Sequence, residues 1–466
     1  MITPIGKEVS VVHGPLFRIH LAAIVFGLLI VTLPAPAKAQ TPRIQGQGSA
    51  ASGMGNAFAA QADDPSALHY NPAGMTQLRG VQNMLGILLV GGTTEFRNAA
   101  GVTTSGDRGG AVAWPSPAHF YLTANLKDIG FSALGDTTVG IGVTNPFGSL
   151  SRYPPTAPFN NSVYFQTLPL IDIKPTIAYK LNEQLSFGLG ADIYTFSSLF
   201  GEGHVEQKAK AGPGNVLDVE LNGSDTAAGF NVSMMYTPLR NADGKPLANI
   251  GLVYRSQATL HLRGEQRING ALAADAEATL VLPYIYTVGI GVWPVRDKEH
   301  EWKLELDVDY VGWKANRNLD VRLSNGTTIP LPQQWNSSYT VMIGTEHKWL
   351  NPERMPDWEV ALRAGYMNQQ TQMPDSTFNP GVPSANTHSP SVGAGFLCKE
   401  NGSFFGLKCG DIGIGAVKVK AIGLDLVYQA VYYESRTVAG HATNPAVNGT
   451  YQTLIHAGGA SLRFSF

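Results

Sequence analysis

Trp302-Lys303-Leu304-Glu305-Leu306-Asp307-Val308-Asp309-Tyr310 alternates without a slip between apolar and charged side chains. Successive side chains of an extended strand point to opposite faces. Trp302, Leu304, Leu306, Val308 and Tyr310 therefore share one face, and Lys303, Glu305, Asp307 and Asp309 share the other. A helix would mix the two sets. The stretch reads as a strand with a greasy side and a charged side.

The same period recurs to the end of the chain. Ile422, Leu424, Leu426, Tyr428, Ala430 and Tyr432 oppose Asp425 and Gln429, and Phe187, Leu189, Ala191 and Ile193 oppose Ser186 and Asp192. The final residues place Leu462, Phe464 and Phe466 on one face and Ser461, Arg463 and Ser465 on the other. Such segments number about fourteen, an even count that suits a closed antiparallel membrane barrel. They centre near residues 88, 119, 141, 173, 192, 232, 254, 287, 308, 341, 364, 394, 427 and 459.

Connection lengths point the same way. Long polar stretches near 97–111, 148–162, 200–225, 263–278, 315–334, 368–389 and 436–450 alternate with short ones near 182–184, 239–246, 294–301 and 349–357. Membrane barrels carry long loops outside and short turns on the periplasmic side. If the last strand ends in the periplasm, every long loop falls outside. The 398–417 connection then falls in the periplasm and is unusually long for that side.

Export is the second expectation. Lys7 and Arg18 precede an apolar run from Leu21 to Leu33, and Ala37-Lys38-Ala39 fits a small-x-small cleavage site. That run is too short for a spanning helix, which needs about twenty residues. Residues 1–39 are thus expected to be a signal peptide. Cys398 and Cys409, the two cysteines of the chain, are expected to pair in an oxidising compartment. Such a bond would contribute about 3 kcal/mol in the chain-entropy model.

Several classes are disfavoured. The 33 basic and 35 acidic residues leave no net basic character for nucleic acid. The sequence lacks a Gly-x-Ser-x-Gly elbow, a phosphate-binding Walker loop, a His-Glu-x-x-His pair and a Cys-x-x-Cys pair. No enzyme activity, cofactor or metal is expected. A general porin and a barrel lipid hydrolase are the alternatives from other classes.

Residues 40–79 differ from the rest. Gly46, Gly48, Ala50, Gly53, Gly55, Ala57 and Ala59 make a run of small residues. Met54, Phe58, Leu68 and Met75 are spaced as if buried. This segment is expected to plug a barrel that spans 80–466.

The stretches Gly53-Met54-Gly55-Asn56-Ala57-Phe58-Ala59, Asp64-Pro65-Ser66-Ala67 and Asn71-Pro72-Ala73-Gly74-Met75 resemble the N-terminal hatch of the FadL/TodX family. Asn145-Pro146-Phe147-Gly148, Ile173 to Tyr179, Arg363-Ala364-Gly365-Tyr366, Phe378-Asn379-Pro380 and Asp425 to Gln429 follow that family's order. The likeness spans nearly all of residues 40–466; the cysteine segment is a departure. It implies a monomeric outer-membrane barrel of 14 strands with a hatch, passing fatty acids or aromatic hydrocarbons. The route it implies runs from capture by outer loops, through a luminal apolar pocket, to a lateral exit beside a kinked third strand.

Under that reading Asn145, Pro146, Phe147 and Gly148 shape the exit. Proline donates no ladder hydrogen bond, so Pro146 is expected to break the wall. Leu150, Tyr153 and Phe159 offer either a capture surface or packing over the barrel mouth. Lys314 and Arg363 are the cations that could meet a carboxylate, though Arg363 is expected first to neutralise a luminal acid. Phe466 resembles the signal read by the barrel assembly machinery. Outer-membrane lipid is the remaining expected partner.

Overall fold

The computed structural model describes residues 43–466, apart from 109, 111, 115, 405, 415 and 416. The expected signal peptide and residues 40–42 of the expected hatch lie outside the described residues.

Alternation becomes a wall of 14 strands. In chain order they are β1 (Val81–Arg97), β2 (Ala118–Asn125), β3 (Thr137–Thr144, resuming as Gly148–Arg152), β4 (Phe165–Lys180), β5 (Leu185–Phe196), β6 (Ala227–Arg240) and β7 (Pro246–Arg255). β8 (Ile285–Arg296), β9 (His300–Val311), β10 (Ser338–Trp349), β11 (Trp358–Gln369), β12 (Thr387–Lys399), β13 (Ala421–Tyr433) and β14 (Gly449–Ser465) complete it. Every expected centre falls inside one of these strands. Each strand pairs antiparallel with its sequence neighbours, and β1 pairs with β14 from Gln82↔Ser465 to Arg97↔Thr450. Closure leaves no edge whose backbone groups would lie unpaired in a bilayer.

The charged face of β9 points inward: Lys303, Glu305, Asp307 and Asp309 are all buried. Outward positions such as Leu85, Leu189 and Tyr428 remain exposed around the wall. The connections at 181–184, 241–245 and 297–299 are short, and Phe466 lies at the same end. Several long connections at the other end extend the sheet, as in the hairpin Ala258–Ile268 with Ala271–Leu282.

Residues 43–79 run inside the wall and form α1 (Ser49–Gly53), α2 (Ala67–Tyr70) and a 3-10 turn (Pro72–Gln77). Small residues are required there. At Gly55, φ is +65° and an added Cβ would stand 2.6 Å from the Tyr366 nitrogen. A Cβ on Gly365 of β11 would come within 2.0 Å of the Gly55 nitrogen.

Candidate functional site

Apart from an isolated bridge between Arg43 and Phe147, the described part of the inner segment has no ladder partners, so its backbone donors need other acceptors. The wall supplies carboxylates. Asp307 accepts from the Phe58 and Ala59 N–H groups at 2.8 Å each, and Glu305 accepts from Ala60 at 2.7 Å. In Asn71-Pro72-Ala73-Gly74, the Asn71 side chain accepts from Ala73 N–H and donates to the Ala59 carbonyl at 2.7 Å. Ala73 N–H also donates to the Ser233 hydroxyl of β6 at 2.9 Å.

Charges around this segment are matched. Lys174 lies between Asp172 and Asp192, and Arg255 bonds Asp192 at 3.2 Å and the His69 carbonyl at 3.1 Å. Arg43 pairs with Asp309 at 2.7 Å. Arg363 is held between Glu346 at 2.6 Å and Asp425 at 2.7 Å. Burial pushes the Asp64 carboxyl of the inner segment up to about 6, against the opposing pull of Arg463.

The wall opens beside β3. The strand stops at Thr144, and Asn145–Phe147 turn inward before Gly148 resumes it. Proline alone is not the cause. Pro175 and Pro390 sit inside continuous wall strands and cost only local pairing. What distinguishes residues 145–147 is the partner they find inside. The Gln47 side chain bonds the Asn145 backbone as a strand would, accepting from its N–H and donating to its carbonyl at 3.0 Å each. Ile44 N–H donates to the Pro146 carbonyl at 2.9 Å. The Asn145 side chain bridges the flanks, accepting from Ala118 N–H of β2 and donating to the Leu170 carbonyl of β4.

Behind the break lies a cavity of about 190 Å³. Asn145, Phe147, Gly148 and Leu150 line it, together with Leu88, Val431 and Ile455. Its lining is mostly apolar, with two cations, Arg43 and Arg108. Arg43 is neutralised by Asp309. Arg108 donates to the Leu150 carbonyl at 2.8 Å and to the Ser151 hydroxyl at 3.1 Å, both neutral.

A barrel enclosing an inner segment, with an apolar cavity behind a broken third strand, can be compared with known proteins. Residues 29–407 match the model of the family described as outer membrane protein transport protein (OMPP1/FadL/TodX). The chain belongs to the OMPP1/FadL/TodX family. The long-chain fatty acid transport protein of Salmonella typhi is 22% identical over 391 residues, covering 76% of this chain and 83% of that one. That of Escherichia coli K12 is 20% identical over 401 residues, with the same coverage. A Pseudomonas aeruginosa FadL homologue of known structure superposes with a TM-score of 0.68 at 15% identity, covering 93% of this chain and all of that one. The Ralstonia pickettii toluene transporter TbuX gives 0.58 at 14% identity, covering 90% and 99%.

As a FadL/TodX-family member the chain is an outer-membrane barrel that transports hydrophobic compounds and is not an enzyme. Membrane barrels of this kind carry their short turns on the periplasmic side and their long loops outside, which would put Phe466 at the periplasmic end.

The sequence-derived residues distribute unevenly within this FadL/TodX barrel. Asn145, Phe147, Gly148 and Leu150 all line the cavity. Tyr153 and Phe159 are buried in an aromatic cluster over the barrel mouth, where Phe159 packs edge-on against Phe96 and Tyr153. Burial there makes them packing residues and removes them from any exposed capture face. Lys314 is exposed on an outer loop. Cys398 and Cys409 are joined, with Cα atoms 6.2 Å apart. Sequence reading missed Gln47, Arg108 and Trp114. Trp114 is 79% exposed and stands next to Ala113, which lines the cavity. Arg108 and Trp114 belong to a loop without periodicity, and Gln47 acts on a residue 98 positions away.

Proposed function

We propose that the protein carries long-chain fatty acids passively, from its outer loops to a lateral exit at Asn145–Gly148. The observation that supports this reading best is the Arg108 guanidinium at the wall of a mostly apolar cavity, bonded to neutral partners only among the described residues. A buried cation without a counter-charge favours an anionic ligand. An alkyl chain fills the apolar lining while the carboxylate meets Arg108. The names of the fatty acid transporters among the relatives agree with this choice.

In this reading Trp114 forms the outer lip, and Lys314 offers a first contact for the carboxylate. Arg363 takes no part, because Glu346 and Asp425 hold it. Residues 43–79 act as the hatch, Phe466 serves the assembly machinery, and the barrel works as a monomer in outer-membrane lipid.

Arg108→Met tests the ligand class. Binding of oleate to purified protein is expected to weaken about tenfold or more, in line with the loss of a charge-assisted contact. Binding of oleyl alcohol, which lacks the carboxylate, is expected to stay near wild type. Equal effects on both ligands, or none on oleate, would refute the assignment. Pro146→Val with Gly148→Phe tests the exit. Uptake of labelled oleate should fall while binding persists, and wild-type uptake by a folded variant would refute the route.

A further inference from the structure

The cysteine segment lies on the outer surface of the wall. Along β12 the even-numbered side chains point outward, as the 57% exposure of Val392 shows. Cys398 has the same parity, yet it is only 2% exposed. What covers it is the chain that follows, tied back through Cys409. The cross-strand partner of Cys398 is Trp358, the first residue of β11, which shares its outward face with Leu362 and Tyr366. Phe404 packs on the Trp358 ring with centroids 6.3 Å apart.

This segment therefore continues the lipid-facing band of the barrel at its periplasmic rim. It presents Phe404, Leu407 and Ile412, which are 58%, 66% and 42% exposed. Lys408, Lys418 and Lys420 are exposed around them, against the acids Glu400 and Asp411. Apolar tips ringed by lysines on a rigid frame suit the boundary between headgroups and acyl chains. A soluble periplasmic partner would not require the apolar tips to adjoin an outward tryptophan of the wall.

We propose that the disulfide-stapled segment 398–420 is an interfacial anchor that binds phospholipid of the periplasmic leaflet. Phe404 and Leu407 enter the acyl boundary, and the lysines meet anionic headgroups. The staple holds the tips against the wall, so insertion orders little additional chain.

The test is a nitroxide at Phe404→Cys in the full-length protein. The protein is reconstituted in vesicles of phosphatidylethanolamine with phosphatidylglycerol, after non-reducing mass spectrometry confirms the Cys398–Cys409 link. A nitroxide at Asp243→Cys, in the periplasmic 241–245 turn, is the aqueous reference. The ratio of oxygen to nickel-chelate collisions at position 404 is expected to exceed the reference at least fivefold. Equal ratios at the two positions overturn the proposal, and they are the result that docking of a soluble partner would give. Adding Lys408→Gln and Lys418→Gln should move the ratio toward the reference only in vesicles that contain phosphatidylglycerol. An unchanged ratio overturns the part assigned to the lysines.

Discussion

The lumen has two halves built on the same strands. Toward the periplasm the inward positions are charged: Asp307, Glu305, Glu346, Arg363, Asp425 and Lys174 surround the inner segment. Toward the outside many are aromatic: Phe96, Phe147, Phe159, Trp313 and Tyr451 gather in one cluster, and Phe147 also lines the cavity. The lower half must satisfy a backbone that has no ladder, which takes carboxylates and matched cations. The upper half, if it receives the transported hydrophobe as proposed, needs surface without unmet hydrogen bonds. Alternation along a strand fixes which residues face inward, and the depth along the barrel decides their chemistry.

The strongest way to break this division is to force the lower half open. Gly365→Val places side-chain atoms where the Gly55 backbone lies, a clash that neither rigid partner can relieve. Residues 43–79 are expected to become protease-sensitive and small polar solutes to leak, while the wall keeps its heat-modifiable mobility. Gly458→Val in β14 is the control, since a Cβ there meets nothing within 4 Å. A wild-type plug in Gly365→Val would show that the close packing is dispensable.

The upper half should break differently. Phe159→Ala removes a fully buried ring and is expected to cost about 3–5 kcal/mol. Chemical denaturation should show the loss, and the protease resistance of residues 43–79 should be unchanged. Cleavage of the inner segment in this variant would mean that the halves are not independent.

Gln47→Ala sharpens the boundary between them. It leaves the Asn145 N–H and carbonyl without their side-chain partner, at about 2 kcal/mol. Hydrogen exchange at Asn145 should quicken before that of any ladder residue of β3. Equal exchange in mutant and wild type would remove Gln47 from the account.

The smallest expected effect is on pH. The Asp64 carboxyl in the docked segment titrates near 6, above its ordinary value of 3.8. A raised acid means that docking takes up a proton, so docking strengthens as pH falls through 6 and weakens above it. Protection of residues 64–70, corrected for intrinsic exchange rates, should rise about tenfold from pH 7.5 to pH 5. Asp64→Asn should flatten this dependence.

Much of the wall was legible because its signal is local. Period-two alternation in Trp302–Tyr310 and Ile422–Tyr432 needs only neighbouring residues. The small-residue run and Asn71-Pro72-Ala73-Gly74 likewise marked a segment that packs tightly. Pro146 lies where β3 breaks, but proline is an incomplete reason for the break, since Pro175 shows that a barrel strand tolerates it. The deciding contact is Gln47 on Asn145, and no local pattern encodes a contact across 98 positions. Arg363 was visible as a luminal cation, but its saturation by Glu346 and Asp425 needs three strands brought together. Arg108 carries no periodic signal, because loops are shaped by the partners they meet.

The bond from Phe466 N–H to the Val81 carbonyl, 2.8 Å long, brings the end of the wall to its beginning. As a ring, the wall has no privileged starting strand. A circular permutant opened in the 241–245 turn, with Phe466 joined to the inner segment by a short linker, would keep every pair of the ladder. It is expected to refold in detergent, and if Phe466 serves the assembly machinery as proposed, it would hide that residue in mid-chain. Such a permutant would separate what the ring needs to be stable from what the cell needs to find it.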